Sequence, residues 1–438
     1  MHSLVSKLLI YRNIGRDSIL FRLADVCKRI DAGGFDREAL ASEVLDLIHE
    51  LLDLATLYGF NHNLWRNYLA YLLAMTENPF TLVSEKVGAV DGSVNQFVLS
   101  DFDVFFRLLH YDFSALEEAL ELDCFTLLQN YRSVEKKEHA YNRNVSVRLQ
   151  ELSAAIGEAQ SREELCRVVV DFYQKYGVGP FGMNKAFRIA SDRAAGLIVP
   201  IMTTSNVGFD ELVGYEWQKA ELIGNTRAFL EGRPANNALL YGDAGTGKST
   251  SVKALLNMFY EAGLRIVEIY KHDFKLLPEI ISIVKSRNYK FIIYMDDLSF
   301  EGAETEYKYL KAVIEGDLEV RPDNVLIYAT SNRRHLLRET FSDRQEIDED
   351  DVHRGDTMAE RLSLASRFGV TIGYYKPERQ QYFDIVRQLA ERSGLTDLTE
   401  DQLVKEADLW ARNHGGLSGR TARQYIDTLL GQRNDEKE

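Results

Sequence analysis

One short stretch of this sequence combines residue types that can hold a polyphosphate. The run YGDAGTGKSTSVKALL occupies residues 241–256. It fits the pattern G-x-x-x-x-G-K-[ST], which begins at Gly242 and ends at Lys248 and Ser249. Glycines let the backbone turn and approach a ligand closely, so that successive N–H groups can converge on phosphate oxygens at a helix N-terminus. The helix dipole also favours anions there, and the stretch therefore predicts a triphosphate-binding loop.

Individual residues of this loop have separate expected roles. We expect Lys248 to neutralise the β- and γ-phosphates and Ser249 to ligate Mg²⁺. In the empty loop we expect Lys248 to face solvent, so that its removal leaves no buried hole. An ordinary glycine-rich turn is the alternative, but a strand-like run precedes the motif and a helix-like run follows it. The expected nucleotide contacts of the loop are Gly242, Asp243, Ala244, Gly245, Thr246, Gly247, Lys248, Ser249 and Thr250.

Two adjacent carboxylates follow an apolar run in the segment FIIYMDDLSF, residues 291–300. Such a pair at the end of a buried strand is costly unless a cation is near, so we expect Asp296 to make the water-linked contact to the Mg²⁺. We expect Asp297 to polarise the attacking water. Many enzymes of this kind carry Glu at this position, and Asp is one methylene shorter. Glu301 is the second candidate for the base, and a strand-terminal turn is the alternative without chemistry.

A further polar residue ends the next apolar run, since YATSN at residues 328–332 finishes at Asn332. A polar group in that place can sense the γ-phosphate and orient the lytic water. Taken alone, Asn332 is typical of a turn at the end of a strand. Its place after the phosphate loop and the paired acids favours the functional interpretation.

The spacing of apolar residues predicts three domains. Residues 1–198 are predicted to be mostly helical, whereas from about residue 200 short apolar runs alternate with helical patterns, as in a parallel sheet covered on both faces. The predicted helices of the first domain include 43–60, 64–75, 103–111, 142–160 and 162–177. The predicted strands are 237–242, 265–270, 290–297, 324–332 and 369–375. We expect an α/β nucleotide-binding core at 199–376 and a helical lid at 377–438, with helices at 377–393, 399–413 and 418–431.

Composition narrows the class of protein. The 438 residues carry a formal net charge of -15, which disfavours sequence-independent binding to nucleic acid without excluding it. The three cysteines are far apart and form no C-x-x-C pair, so buried or free thiols in a reducing compartment are expected. The sequence shows no signal peptide and no uninterrupted apolar run of about 18 residues, and we therefore expect a cytoplasmic protein without a membrane span.

With these motifs in order, residues 205–432 resemble the AAA+ ATPases. The resemblance implies an α/β P-loop NTPase of AAA+ type, in which helices flank a parallel sheet and a C-terminal α-helical lid follows. Several segments are also similar to an uncharacterised family of bacterial AAA+ proteins catalogued as a domain of unknown function. These segments are ENPFTLVSEKV (77–87), LVGYEWQK (212–219), DDLSFE (296–301) and LSLASRFG (362–369). That similarity extends over nearly the whole chain and implies no settled substrate.

The resemblance assigns further site residues. FDELVGYEWQK (209–219) resembles the segment that holds adenine, which places the base near Val213 and Gly214. RLSLASRFG (361–369) resembles the helix end that carries an arginine finger, and Arg367 is the candidate. GLSGRTARQYID (416–427) resembles the lid helix that carries a second sensor, Arg420. Ser366 stands where the family pattern has an acid, which puts the orientation of the finger in doubt.

The leading functional hypothesis is an ATP- and Mg²⁺-dependent hydrolase that works as a homo-oligomer and remodels an unknown protein partner. A conformational switch with little turnover is an alternative, and a P-loop kinase is a third. YKHDFKLLPE (270–279) lies where AAA+ translocases place pore loops, so Phe274 could grip a polypeptide, although a packed aromatic is expected. The acidic segment 339–360 is typical of a solvated loop, with gating or partner contact as its alternative.

Overall fold

The computed structural model of the chain describes residues 1–88, 93–133, 143–193, 196–300, 306–315, 322–332, 364–395 and 398–435. These residues form two compact units. The first unit comprises Met1–Asn184 and Pro200–Thr203, and the second comprises Lys185–Val199 and Thr204–Glu438.

The first unit is helical, as the sequence predicts. Its longest helix, Arg37–Tyr58, shows why the predicted segments fold locally: Asp36 accepts a hydrogen bond from the N–H of Ala39, and Gly59 ends the helix with a φ of 64°. The apolar faces of these helices share one buried core. The helices are His2–Val5, Ile19–Ala32, Arg37–Tyr58, Leu64–Met75, Pro79–Val87, Ser93–Leu109, Ser114–Leu120, Cys124–Gln129, Arg143–Glu158, Arg162–Tyr176 and Gly179–Met183.

A seven-stranded sheet forms the centre of the second unit. Its strands are β1 (Ala186–Ile189), β2 (Ile198–Pro200), β3 (Ala238–Gly242), β4 (Leu264–Glu268), β5 (Lys290–Met295), β6 (Val325–Ser331) and β7 (Val370–Tyr374). They lie in the order β2-β1-β4-β5-β6-β3-β7, and the pairings from β1 to β7 are parallel. All seven residues of β6 are buried, as expected for a strand covered on both faces. The five predicted strands are thus confirmed.

Helices of the second unit flank the sheet and then form a lid subdomain. The flanking helices are Glu216–Leu230, Lys248–Phe259, Leu277–Val284 and Tyr307–Glu315. The lid helices are Arg379–Arg392, Glu400–Asn413 and Gly419–Asp435, and they pack around an apolar cluster of their own. The predicted fold class, a parallel sheet flanked by helices with a helical lid and a helical N-terminal region, is confirmed.

The structure differs from the sequence-based prediction between residues 184 and 200. The first compact unit ends its main segment at Asn184, whereas the predicted boundary is residue 198. β1 and β2 occupy this interval, and Phe187 of β1 pairs with Val267 of β4. Four-residue and three-residue strands are too short for apolar alternation to stand out from a helical background.

Three further expectations concern Phe274, the cysteines and membrane-spanning helices. Phe274 is 1% exposed and packs against Phe300, which confirms the packed aromatic rather than a gripping residue. All three cysteines are free. Across the part of the chain that the structure describes, no helix combines the length and apolarity needed to cross a membrane.

Candidate functional site

The predicted phosphate loop connects the end of β3 to the helix Lys248–Phe259. Gly242 has a φ of 130°, and a Cβ atom there would lie 1.9 Å from the carbonyl oxygen of Tyr374. Gly247 has a φ of 98°, and its Cβ would lie 2.2 Å from Cδ1 of Leu212. Both positions therefore require glycine, for backbone conformation and for space.

Lys248 is buried, which corrects the expectation that it faces solvent. The residue is 6% exposed, and its Nζ donates to the carbonyl oxygens of Gly242 (3.0 Å) and Asp243 (2.7 Å). A third bond reaches Oδ1 of Asn332, at 3.0 Å. Burial lowers the pKa of Lys248, against the opposing effect of Asp243 and nearby carboxylates. The ammonium group therefore satisfies two backbone carbonyl oxygens of the loop.

Asp296 follows β5 directly, and three hydroxyl groups donate to one of its carboxylate oxygens. Oδ1 accepts from Ser249 at 2.7 Å, from Tyr294 at 2.7 Å and from Thr330 at 2.5 Å. Burial alone would raise the pKa of Asp296, but these bonds, from Thr330 foremost, hold it below its ordinary value. Asp296 is therefore an ionised carboxylate in a fixed orientation beside the first turn of the phosphate-loop helix.

Asp297 and Asn332 lie in contact at the ends of neighbouring strands. Nδ2 of Asn332 donates to Oδ1 of Asp297 at 2.7 Å, and the Asp297 N–H donates to Oγ1 of Thr330 at 2.9 Å. Asp297 has a φ of 51°, in the left-handed region. Asp tolerates that region better than longer side chains do, because its short polar group can bond locally. This gives a physical reason for Asp at position 297, where many enzymes of the expected kind carry Glu.

The lid approaches the loop from the other side. The Arg420 N–H donates to the carbonyl oxygen of Gly245 at 3.3 Å. Ser418 fixes this approach, since its Oγ accepts from the N–H of Thr421 at the start of the helix Gly419–Asp435. Residues 420, 423, 424 and 427 of the same helix line one cavity. Their spacing places them on a single face of the helix.

This cavity, of about 860 Å³, is the space in which the predicted residues meet. Residues from the loop, both strand ends and the lid line it, including Lys248, Ser249, Asp296, Asp297, Asn332 and Arg420. Its apolar part includes Val213, Tyr215, Ile385 and Leu389. Val213, one of the two predicted adenine contacts, thus lines the cavity, and Gly214 follows it with a φ of 79°.

The family described as "Protein of unknown function (DUF815)" matches residues 182–433. The chain belongs to this family. Its sheet, phosphate loop and lid give this DUF815 protein the fold class of an AAA+ ATPase, as the sequence predicts.

Individual relatives of the DUF815 chain are distant. A replication factor C large subunit from Staphylothermus marinus is 38% identical over 77 residues, which are 17% of this chain and 18% of that protein. Among solved structures, the Thermotoga maritima RuvB Holliday junction branch migration motor aligns with a TM-score of 0.36 and 16% identity. That alignment covers 52% of this chain and 66% of the RuvB chain. A point mutant of the same RuvB gives a TM-score of 0.31 at 13% identity, over 51% of this chain and 72% of that one.

Arg367 of the DUF815 chain lies away from the cavity. It precedes β7, whose first residue, Val370, pairs with Ala238 at the start of β3. The phosphate loop follows the opposite end of β3, and five residues of strand span roughly 15 Å. Arg367 therefore cannot reach the loop of its own chain. Glu301 and the acidic segment 339–360 lie outside the described residues.

Two residues that position the site were missed in the sequence. Tyr294 and Thr330 both bond Asp296, and neither was predicted. The two-residue period of a strand could have indicated both residues. Tyr294 lies two positions before Asp296, and Thr330 lies two positions before Asn332. Polar groups at those positions share the face of the predicted site residues.

The donor set of the site fits Mg²⁺ and a triphosphate. A hydroxyl and a carboxylate oxygen, from Ser249 and Asp296, are hard ligands of the kind Mg²⁺ prefers. Gly242 and Gly247 pack against Tyr374 and Leu212 with no room for a Cβ, which allows the tight turn of the loop, and the ammonium of Lys248 lies beside that turn. The cavity volume lies within the range of about 300–1,000 Å³ that small-molecule sites occupy.

Proposed function

We propose that this protein binds ATP with Mg²⁺ and hydrolyses it as a homo-oligomer that remodels a protein partner. The observation that carries the proposal is the convergence of Lys248, Asp296, Asp297, Asn332 and Arg420 on one cavity. A phosphate-binding loop alone is compatible with many reactions. A loop together with a metal-site carboxylate, a second acid and a polar sensor is suited to phosphoryl transfer.

Different residues of the chain bind the phosphates, the Mg²⁺ and the base. Backbone N–H groups of the loop and the ammonium of Lys248 bind the phosphates, which replace the carbonyl oxygens that Lys248 contacts in their absence. Ser249 and Asp296 hold the Mg²⁺, which when bound neutralises charge on the phosphate oxygens. Val213 and Tyr215 contact the base, and Arg420 approaches the phosphates from the lid.

Hydrolysis needs a water held in line with the γ-phosphate and a group that accepts its proton. The water oxygen bonds to the γ-phosphorus, the bond from that phosphorus to the β–γ bridging oxygen breaks, and ADP leaves. Asp297 accepts the proton of the water. Asn332 fixes the carboxylate of Asp297 through the bond from its Nδ2. Glu301 remains the second candidate for the base.

The position of Arg367 supports an oligomer. It lies at the end of β7 that is remote from its own phosphate loop. From there it can stabilise charge on a neighbouring subunit's γ-phosphate, which couples hydrolysis to the subunit contact. Such coupling suits work on a macromolecule. The net charge of -15 favours a protein partner over nucleic acid.

The test is steady-state ATPase activity over a range of protein concentrations, with Asp297→Asn as the comparison. We expect the specific activity to rise with assembly, and Asp297→Asn to keep ATP affinity while turnover falls by about 10²-fold or more. ATP binding without turnover at any concentration would favour a conformational switch. Phosphate transfer to an added small molecule in place of water would favour a kinase.

A further inference from the structure

A second concave surface lies in the helical first unit, far in sequence from the nucleotide site. It is a groove of about 620 Å³ between the helices Arg37–Tyr58 and Leu64–Met75, and residues 13–19 also contribute to its wall. The first helix lines it with Glu50, Asp53, Leu54 and Leu57, and the second with Tyr68, Tyr71, Leu72 and Met75. Both sets are spaced at i, i+3, i+4 and i+7, which is one face of each helix.

The floor of the groove is apolar and accessible. Leu57 is 43% exposed, and Leu54, Tyr71 and Met75 are each half-buried. Adjoining apolar side chains that remain accessible on a helical pair are typical of surfaces that receive another chain.

The rim of the groove is acidic. The lining residues include the carboxylates of Asp17, Glu50, Asp53 and Glu77, and none of the described lining residues is Lys, Arg or His. Glu50 is paired with Arg22 at 2.6 Å. Asp53 keeps a side chain that is 73% exposed, and its carboxylate lies 3.8 Å from the imidazole of His49. An anionic ligand would be repelled, and a cation would be attracted.

A bare metal ion does not fit this rim. Among the described residues there is no group of three or more His, Cys, Asp or Glu side chains close enough to hold one. The carboxylates are instead spread along an apolar floor. That arrangement matches an elongated ligand with an apolar face and cationic edges.

We propose that the groove between these two helices binds an amphipathic helix of a partner protein, with its apolar face on Leu54, Leu57 and Tyr71 and its Lys or Arg residues beside the carboxylate rim. A separation of seven residues along a helix spans roughly 10 Å, so the groove accommodates about two turns of such a segment. Recognition of this kind uses partner residues at i, i+3, i+4 and i+7. It requires no nucleotide and is independent of the proposed hydrolysis.

The experiment uses the full chain without nucleotide and a fluorescent helical peptide of about 18 residues, five turns. The peptide carries leucines at i, i+3, i+4 and i+7 with lysines on both flanks, and a second peptide has glutamate in place of each lysine. Fluorescence anisotropy gives the affinity. Leu57→Ser and Asp53→Lys alter the groove. Leu45→Ser and Glu38→Lys are matched controls on the same helix away from the groove face, since Leu45 is 49% exposed and Glu38 is also exposed.

We expect saturable binding of the lysine peptide, about tenfold weaker in each groove variant and changed less than about twofold in each control. Thermal melting shows that the variants remain folded. The controls make the same changes of charge and apolarity as the groove variants, so general attraction to an acidic protein affects both sets alike. Equal weakening in both sets, equal binding of the two peptides, or no saturable binding would each overturn the proposal. The ATPase activity of each variant is measured in parallel. A change in that activity bears on the proposed hydrolysis and not on peptide binding.

Discussion

The side-chain amide of Asn332 donates a hydrogen bond to the carboxylate of Asp297, with 2.7 Å between Nδ2 and Oδ1. The same amide accepts a bond from Lys248 through its oxygen, at 3.0 Å. One amide therefore sets the relative positions of the proposed base and the phosphate-binding cation. Removal of this amide should therefore lower the rate of ATP hydrolysis more than the affinity for ATP.

We expect Asn332→Ala to keep ATP affinity within a few-fold and to lower turnover by about 10²-fold, the scale for loss of one positioned polar group. Calorimetry gives the affinity, and steady-state phosphate release gives the turnover. Asn324→Ala is the control, because Asn324 lies just before the other end of β6 and donates to backbone carbonyls there. If both variants lose turnover to the same extent, Asn332 has no special role in hydrolysis.

Tyr294 is expected to set the affinity of the site for Mg²⁺. Its hydroxyl is one of three that orient Asp296, and loss of such an outer contact typically costs 10–100-fold in metal affinity. In Tyr294→Phe, the Mg²⁺ concentration that supports half-maximal binding of a fluorescent ATP analogue should rise by about tenfold. The analogue's affinity at saturating Mg²⁺ should change little.

Tyr328→Phe is a closely matched control for Tyr294→Phe. The two tyrosines are both buried and face each other in register on β5 and β6. The hydroxyl of Tyr328 bonds Asn225 and Thr226 instead of the site. An equal Mg²⁺ shift in both variants would show that the effect is structural.

The lowered pKa of Lys248 predicts a dependence of ATP binding on alkaline pH. Burial favours the neutral amine in the free protein, whereas phosphate binding needs the ammonium. Affinity should therefore fall as pH rises through the free-state pKa, at a lower pH than for an ordinary lysine of pKa about 10.4. Lys248→Arg, whose guanidinium does not titrate in this range, should show a flat profile whatever its absolute affinity. If the ATP affinities of the wild-type protein and of Lys248→Arg fell in parallel with rising pH, Lys248 would not be the group responsible.

The sequence was sufficient to predict those parts of the fold that depend on local patterns. The strands that precede the phosphate loop, Asp296 and Asn332 are apolar runs, and each forms where predicted. β1 was missed because four residues give too little periodicity. Its place in the sheet depends on pairing with β4, which is a tertiary contact that no local pattern records.

The main error in the sequence-based prediction of the site concerned Lys248, which was expected to face solvent and is buried. A loop motif predicts the ligand that a lysine binds, but it does not show what the ammonium group contacts without that ligand. The carbonyl oxygens of Gly242 and Asp243 take that place because the same glycine turn directs them inward. One consequence concerns mutagenesis: Lys248→Ala would remove a buried side chain and leave the partly buried carbonyl oxygens of Gly242 and Asp243 without this donor. Lys248→Met keeps most of the side-chain volume and is the better variant for loss of charge.

Arg367 provides the test of the subunit contact. Because Arg367 lies at the end of β7 remote from the phosphate loop of its own chain, the proposal requires its guanidinium to act on another subunit's nucleotide. Arg367→Ala should therefore bind ATP normally and hydrolyse it poorly, whereas Lys248→Met should fail to bind. Each protein alone is expected to be inactive, by a different defect.

A mixture of these two proteins should recover activity. An Arg367→Ala subunit binds ATP through its intact Lys248, and a Lys248→Met neighbour offers it an intact Arg367. ATPase rate against mixing ratio should pass through a maximum, at concentrations where sedimentation shows assembly and after time for subunit exchange. If each active site were complete within one chain, every subunit in the mixture would keep its own defect, and the rate would follow a straight line between the two inactive proteins. A straight line in fully exchanged oligomers would thus rule out action across the subunit boundary and leave the monomeric switch as the better account.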